Sequence, residues 1–372
     1  MRQQSRSSLR PVAAALSVVW LAGALLLLTS CTRGVEPFGV EEIVFHSGPF
    51  KIVGDLRLPP GEGPHPVVVF VHGDGPNNRT SGVTYPPIME RMLRVGYATF
   101  AWDKPGTGES TGEIDRSQLQ EQRAQIVLDA IAVLKKRPDI DPQRIGLWGI
   151  SQAGYVMPRV LSMSEDVAFM IAVSCPGEAG VEQGAYLVTA QAICAGLPEE
   201  DREHVKHLLG AASRAQTYEE YVRYKKPLTD YPALRKITEL GFKVGVTSEE
   251  EWHADDLSGD YYWDPMEVIE QTTIPVLAFF GEKDTQADPH QGAEAYRAAL
   301  ERAGNPNFRV ELISGADHNI IISETGSLEE RGRRSRSKWT DYAPEYLDTL
   351  EDWLRDLQLP VEVEDPSDSV RQ

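Results

Sequence analysis

Ser151 lies in a segment that is typical of a nucleophilic serine. A short apolar run starting at Ile145 leads into Gly149-Ile-Ser-Gln-Ala-Gly154. Small residues, including Ala153, allow a tight turn between a strand and a helix, which presents one hydroxyl to a cleft. A serine hydroxyl is a weak nucleophile near neutral pH and needs a base within hydrogen-bond reach. The segment therefore predicts nucleophilic catalysis, provided that the chain supplies such a base.

A carboxylate and a histidine follow two later strands of the predicted sheet. The apolar run 274–280 precedes Asp284, and the run 309–313 precedes His318. Because reactive groups converge at the carboxyl ends of strands in an open α/β sheet, we expect both side chains near Ser151. Histidine titrates near the working pH and can move a proton, while a buried carboxylate fixes its tautomer.

Two other carboxylates are alternatives to Asp284 as the partner of the histidine. Glu282 and Asp288 lie in the same loop. Asp284 is preferred because Pro289 indicates that Asp288 begins the following helix.

A glycine-rich turn follows the strand 67–71 and is a candidate oxyanion hole. The turn reads His72-Gly-Asp-Gly-Pro76, and its backbone N–H groups can face a developing oxyanion. We predict that the donors are the N–H groups of Asp74 and Gln152. The alternative is a plain turn with a structural His72, and a carboxylate at Asp74 would oppose catalysis unless its side chain points away.

Together these motifs resemble those of the α/β-hydrolase superfamily over residues 48–175 and 265–357. The resemblance is closest to bacterial serine esterases and to the serine aminopeptidase-like branch, and it extends to the turn Asp103-Lys-Pro-Gly-Thr-Gly-Glu-Ser-Thr-Gly112. It implies Ser151 as nucleophile, His318 as base and Asp284 as the orienting acid. It also implies catalysis without a metal or an organic cofactor.

The predicted fold class is α/β, with a mostly parallel central sheet, flanking helices and a helical cap insert. The core occupies residues 48–175 and 266–358, the cap occupies 176–265, and 359–372 form an acidic tail. Residues 41–58 indicate two antiparallel edge strands. The cap is polar and rich in aromatic residues, and an insert at this point is expected to lie over the Ser151 cleft.

The first thirty residues resemble the signal peptide of a bacterial lipoprotein. Three arginines precede an apolar stretch that ends in Leu28-Thr-Ser-Cys31. This pattern predicts cleavage before Cys31, attachment of lipid to its sulfur, and a linker over residues 31–47. The alternative is an uncleaved signal anchor. We therefore expect an exported protein that is held on a bacterial membrane by lipid.

The charge of the chain argues against nucleic acid as a partner. The formal net charge is −19, or −22 without the three arginines of the signal. The one basic cluster, Arg331 to Lys338, is expected to be an exposed loop, with docking of an acidic group as the alternative. Export permits a disulfide between Cys175 and Cys194 but does not require one.

These observations favour hydrolysis of small carboxylic esters through an acyl-enzyme. A peptidase or amidase with the same three residues is the first alternative, and Glu178 and Glu182 are then candidates to meet a substrate amine. A catalytically inactive binding lipoprotein is the second.

Overall fold

The structure is a computed structural model that describes residues 38–115, 118–254 and 259–357. The predicted signal peptide, Cys31 and the acidic tail lie outside the described residues. No helix within these described ranges combines the length and the apolar character needed to cross a membrane.

The described residues form one sheet with the strand order β1-β2-β4-β3-β5-β6-β7-β8. The strands are β1 (Gly39–Ser47), β2 (Phe50–Leu58), β3 (His65–Val71), β4 (Ala98–Trp102), β5 (Ile140–Ile150), β6 (Phe169–Val173), β7 (Val276–Gly281) and β8 (Phe308–Ile313). The pairs β1–β2 and β2–β4 are antiparallel, and all other neighbours are parallel. The predicted α/β fold with a mostly parallel sheet is confirmed, including the antiparallel pair at its edge.

Twelve α-helices connect or flank these strands within the described ranges. They are α1 (Tyr85–Arg94), α2 (Leu119–Leu134), α3 (Ala153–Met163), α4 (Gly180–Cys194), α5 (Arg202–Ser213), α6 (Tyr218–Lys225), α7 (Pro232–Ile237), α8 (Glu249–Ala254), α9 (Met266–Ile269), α10 (Pro289–Arg302), α11 (Leu328–Arg333) and α12 (Pro344–Asp356).

The central strands are apolar on both faces because helices cover both faces of the sheet. Successive side chains of a strand point to opposite sides. In β3, Val67 and Val69 pack in a cluster that includes residues of α2, α3 and α10, whereas Val68 and Phe70 pack in a second cluster with α1 and α12. The edge strand β1 instead alternates between buried and exposed residues along its second half.

Residues 39–47 are part of this sheet. Strand β1 covers Gly39–Ser47 and pairs with β2 along its whole length. The core therefore begins inside the segment that the sequence assigned to an anchor linker, because Ile43 and Phe45 supply buried side chains there.

The segment 176–265, which we call the cap segment, has a different organisation. Its described residues form helices α4 to α8 and short 3₁₀ turns, and no strand. A third apolar cluster, which includes Ala192, Val205, Leu228 and Leu234, packs these helices on one another.

Strand β4 ends in a turn that a buried carboxylate organises. Asp103 accepts hydrogen bonds from the backbone N–H groups of Arg79 and Glu109, and it pairs with the Arg79 guanidinium at 2.8 Å. A Cβ at Gly108 would lie 2.2 Å from the Asp103 carboxylate, so only glycine fits there. The turn from Asp103 to Gly112 is therefore a structural element that supports the loops around Ser151.

Candidate active site

Ser151 occupies a strained turn between β5 and α3. Its φ angle is +59°, a left-handed conformation that residues other than glycine rarely adopt, and its N–H donates to the Val173 carbonyl at 2.9 Å. A Cβ at Gly149 would lie 2.6 Å from the Cβ of Ala153. The absence of a side chain at Gly149 thus makes room for Ala153, which replaces the second glycine of the usual motif. Gly154 also has no room for a side chain, because a Cβ added there would lie 2.7 Å from the Cβ of Cys175.

Asp284 and His318, which follow the neighbouring strands β7 and β8, are in contact. His318 follows β8 and its Nδ1 lies 2.7 Å from Oδ2 of Asp284, which follows β7. Both residues are buried, with 5% of the surface of His318 and 2% of that of Asp284 exposed. The other carboxylate oxygen, Oδ1, accepts hydrogen bonds from the N–H groups of Gln286 and Ala287. With Nδ1–H donating to the carboxylate, the Nε2 atom of His318 is left as an acceptor.

The two alternative carboxylates of this loop are occupied elsewhere. Asp288 caps α10 by accepting hydrogen bonds from His290 and Gln291. Glu282 accepts from the Ser314 hydroxyl at 2.8 Å and from the Gly315 N–H at 3.0 Å. Neither carboxylate contacts His318, so the choice among the three falls on Asp284.

Two cavities border Ser151. The first, which we call the His318 cavity, has a volume of about 260 Å³. Its lining includes Ser151, His318, Asp74, Trp148, Asn319 and Arg331. The second, which we call the cap cavity, has a volume of about 790 Å³. Its lining includes Ser151, Gln152, Tyr155, Gln183, Leu187 and Tyr261. Ser151 and His318 thus face one space, and the cap segment forms part of the wall of the other.

The loop after β3 approaches Ser151 closely enough to act on a group bound there. A Cβ at Gly73 would lie 3.3 Å from the Cβ of Ser151. Within the described part of the chain, the backbone N–H groups of Asp74 and Gln152 have no hydrogen-bond partner. The Asp74 side chain is exposed, so its charge is solvated. Both N–H groups are thus available to an oxygen atom beside Ser151.

Comparison with known proteins agrees with this geometry. Residues 68–328, well over half of the chain, match the family model described as the alpha/beta hydrolase family. The chain belongs to this family.

Individual relatives are distant or cover only part of the chain. A thiohydrolase of Aspergillus aculeatus is 31% identical over 34% of this chain and 38% of its own length. Esterase EstD of Thermotoga maritima is 23% identical over 78% of this chain and 62% of its own length. The solved structure of a Pyrococcus furiosus esterase has a TM-score of 0.52 at 17% identity and covers 86% of this chain and 91% of that one. The chain thus spans less than two thirds of the length of that thiohydrolase and of EstD.

Two basic residues beside the loop that follows β3 were not found from the sequence. Lys104 is buried, and its Nζ donates to the carbonyls of Gly73 at 2.7 Å and Gly75 at 2.8 Å. Arg123 is also buried and donates to the carbonyl of His72 and, at 2.5 Å, to the Gln152 side chain. Burial lowers the pKa of Lys104 to about 6 and that of Arg123 to about 10, while the charge of Asp74 opposes both shifts.

The sequence carried a signal for Arg123. On α2, Arg123 shares its helix face with Val127, Ala130 and Leu134, which are all buried. A charged residue at a core position of an amphipathic helix is a candidate for a buried polar role.

His72 has the structural role that the sequence left as an alternative. Its Nε2 lies 2.6 Å from the Trp102 carbonyl, and its Nδ1 lies 3.0 Å from the Tyr85 hydroxyl. Burial lowers the pKa of His72 to about 3, so the ring is neutral and ties β3 to β4 and α1.

Glu178 and Glu182 do not line either of the cavities that border Ser151. Glu182 pairs with Arg214. The Oε1 atom of Glu178 is buried without a hydrogen-bond partner in the described part of the chain, and burial raises the pKa of Glu178 to about 7. Cys175 is buried and Cys194 is exposed, and both are free thiols, so the permitted disulfide does not form.

Proposed function

We propose that this protein is a serine hydrolase that cleaves small carboxylic esters through an acyl-enzyme. The observation that carries the proposal is the buried hydrogen bond between His318 and Asp284, beside a strained Ser151 that faces the same cavity as His318. In the proposal Ser151 is the nucleophile, His318 the general base and Asp284 the orienting acid.

The geometry supports a two-step reaction. The Ser151 oxygen attacks the ester carbonyl carbon while Nε2 of His318 takes the hydroxyl proton. When the tetrahedral intermediate collapses, the C–O bond to the alcohol breaks and His318 returns the proton to the leaving oxygen. Water then attacks the acyl-enzyme with His318 again as base, which releases the acid and restores Ser151.

Asp284 acts through the imidazole in this proposal. Its Oδ2 atom holds Nδ1–H of His318, which leaves Nε2 free to take a proton. A carboxylate at this distance also stabilises the imidazolium that forms in each step.

The basic residues Lys104 and Arg123 support the proposed oxyanion hole. In a trans peptide the C=O and N–H groups point in opposite directions. Lys104 holds the Gly73 carbonyl, so the N–H of Asp74 in the same peptide unit faces away from Lys104. Arg123 connects this loop to the Gln152 side chain, which fixes the two predicted donors relative to each other. A donor that is held in place before reaction stabilises an oxyanion without reorganisation.

Ester hydrolysis is favoured over an aminopeptidase that uses Glu178 and Glu182. Neither carboxylate lines a cavity with Ser151, and Glu182 is already paired with Arg214. An aminopeptidase that recognises the substrate amine through these two residues would need them at the site.

We also propose export and lipid attachment at Cys31, which would hold the enzyme on a bacterial membrane. The basis is the order of the basic, apolar and small residues that end at Cys31. Incorporation of labelled palmitate into the full chain, and its loss in Cys31→Ser, is the expected result. Incorporation that persists in Cys31→Ser would contradict it.

The first test uses a soluble form from Thr32 onward. Wild type, Ser151→Ala and Ser162→Ala are compared, because Ser162 is an exposed serine of α3 that serves as the matched control. A fluorophosphonate probe should label wild type and Ser162→Ala but not Ser151→Ala. On p-nitrophenyl esters from acetate to laurate, wild type and Ser162→Ala should show turnover, and Ser151→Ala should show none.

Aminoacyl p-nitroanilides, measured on the same three proteins, separate the rival activities. Faster cleavage of the anilides than of the esters would move the assignment to a peptidase. An unlabelled wild type without turnover would leave a binding protein on a hydrolase scaffold.

A further inference from the structure

The basic cluster between Arg331 and Lys338 is not a uniformly exposed loop. The side chains of Arg333 and Lys338 are 73% and 65% exposed, and Arg336 is also exposed. Arg331 and Arg334 instead turn towards the core. The cluster therefore divides into a solvated part and two inward-facing arginines.

The two inward-facing arginines differ in their partners. Arg334 pairs with Asp317 at 2.6 Å, and both side chains are buried. Asp317 in turn accepts hydrogen bonds from the N–H groups of Asn319 and Ile321. Arg334 thus has a structural function, since this pair holds the loop that carries His318.

Arg331 has no carboxylate within ion-pair distance among the described residues. Its Nη1 donates to the Gln286 side chain at 3.2 Å, and its guanidinium lies 5.1 Å from the ring centre of Trp339. It is partly buried and lines the His318 cavity. Burial lowers the pKa of Arg331, while the charges of Asp317 and Asp284 oppose this shift.

The other groups around this cavity leave room for an anion beside Arg331. Asp74 is the one carboxylate in the described lining, and it is exposed and acts electrostatically on Lys104 and Arg123. The amide of Asn319 also lines the cavity, and its Oδ1 atom is buried without a partner in the described part of the chain. The cavity thus has a guanidinium without a carboxylate partner, whereas the unpartnered Oδ1 of Asn319 is an acceptor that suits a hydroxyl group and not an anion.

From this arrangement we infer that Arg331 forms an anion subsite and that the substrate is an ester carrying a carboxylate a few bonds from the scissile carbonyl. The inference rests on the proposed function, because it assigns the substrate class of the same site. A planar guanidinium binds a carboxylate through two parallel hydrogen bonds. A cavity of about 260 Å³ is small enough for one short substrate to contact both Ser151 and Arg331.

Two pairs of esters test the subsite, and in each pair the free carboxylate of one member is replaced by a neutral ester group in the other. Monoethyl succinate and diethyl succinate differ by a charge on the acyl side, and acetoxyacetate and its methyl ester differ by a charge on the alcohol side. The kcat/KM of each ester is measured in a pH-stat for wild type, Arg331→Gln, Arg331→Lys and Arg333→Gln. Arg333→Gln is the matched control, since Arg333 lies on the same helix and is exposed.

Wild type should prefer the charged ester of at least one pair by about tenfold or more. Arg331→Gln should remove this preference, Arg331→Lys should restore part of it, and Arg333→Gln should retain it. The pair that shows the effect tells whether the acyl or the alcohol half of the substrate occupies the His318 cavity. Equal rates on charged and neutral esters in wild type, or equal losses on both in Arg331→Gln, would overturn the inference and leave the esterase proposal intact.

A binding measurement separates failure of the subsite from failure of catalysis. Calorimetric titration of monoethyl succinate and of acetoxyacetate into Ser151→Ala should show binding of at least one of them that is lost in Ser151→Ala/Arg331→Gln. Binding that requires Arg331, found together with an inactive wild type, would support the subsite while contradicting the proposed reaction. Binding that is unchanged in the double variant would overturn the subsite.

Discussion

The two cavities that meet at Ser151 are built from different parts of the molecule. The His318 cavity is lined mainly by loops at the ends of the strands and by the aromatic core below them, with Trp148, Tyr85 and Tyr346. The cap cavity is about three times larger, and Gln183, Leu187 and Tyr261 of the cap segment contribute to its wall. Both linings combine charged and apolar residues, but the small cavity includes the guanidinium of Arg331 from α11, whereas the large one includes the apolar side chain of Leu187 from α4.

The difference between the cavities suggests a division of roles, in which one set of residues carries out the proposed reaction and another set selects the substrate. Residues proposed to react are held by the sheet, because Ser151, Asp284 and His318 each follow a parallel strand. Many of the residues that line the two cavities come instead from loops and helices outside the sheet, such as Arg331 of α11 and Leu187 of α4. We expect the two halves of an ester to occupy different cavities, with selection for charge on one side and for length on the other.

The largest effect should come from the contact between Asp284 and His318. Asp284→Asn keeps the shape of the side chain but favours the wrong tautomer of the imidazole, so kcat should fall about 10⁴-fold. Glu282→Gln, in the same loop, should retain activity, because Glu282 contacts Ser314 and Gly315 and not His318. Steady-state kinetics on p-nitrophenyl acetate measures both. Comparable losses in the two variants would mean that the loop as a whole, and not Asp284, supports catalysis.

The next effect tests whether Arg123 supports the proposed oxyanion hole. Arg123→Met removes the link between the His72 carbonyl and the Gln152 side chain, so kcat should fall about 10- to 100-fold while KM changes little. The loss should be smaller than the roughly 10²–10³-fold effect of deleting an oxyanion donor outright, because both N–H groups remain. Arg94→Met is the control, as Arg94 is an exposed arginine of α1. An increase in KM at unchanged kcat would assign Arg123 to substrate binding.

The sequence allowed prediction of the three candidate residues because each follows a predicted strand, which is an apolar run before Ser151 and Asp284 and the run 309–313 before His318. The structure brings Asp284 and His318 into contact and places His318 and Ser151 at one cavity, and the antiparallel edge pair followed from residues 41–58. Each of these inferences depends on local patterns, which a single chain displays directly.

The residues that escaped prediction depend on contacts between distant segments. Lys104 bonds to carbonyls about thirty positions earlier in the chain, and Arg123 bonds to segments on both sides of it. Arg331 and Arg333 are two positions apart in one basic cluster, yet one lines a cavity and the other is solvated. Composition cannot distinguish them, because the packing of α11 decides which arginine turns inward.

A smaller effect should come from the wall of the cap cavity. Leu187 of α4 lines this cavity, and Leu187→Trp should reduce its volume. We expect kcat/KM for p-nitrophenyl laurate to fall about 10-fold relative to the acetate, in line with the modest discrimination that apolar pockets provide. The ratio of the two rates is the measurement, which cancels any loss of active protein. An unchanged ratio would place the acyl chain outside the cap cavity. The alcohol half of the ester would then be assigned to the cap cavity.

The smallest effect concerns Glu178, where the cap segment begins. Its backbone carbonyl accepts a hydrogen bond from Tyr155, which lines the cap cavity, whereas its carboxyl group is buried. Burial raises the pKa of Glu178 from 4.5 to about 7, so the folded state binds this proton more tightly than the unfolded chain does. Between these two pH values the ionisation of Glu178 reduces the free energy of unfolding as the pH rises.

Glu178→Gln should therefore raise Tm by about 2–4 °C at pH 8, with a difference that shrinks as the pH approaches 4.5. Glu182→Gln should give no such gain, because Glu182 is paired with Arg214. Thermal unfolding across this pH range measures both variants, and KM for aminoacyl anilides is measured beside it. A KM that rises sharply in Glu178→Gln, without a gain in Tm, would place this carboxylate at a substrate amine. The cap cavity would then be selecting for charge as well, and the contrast between the two cavities would fail.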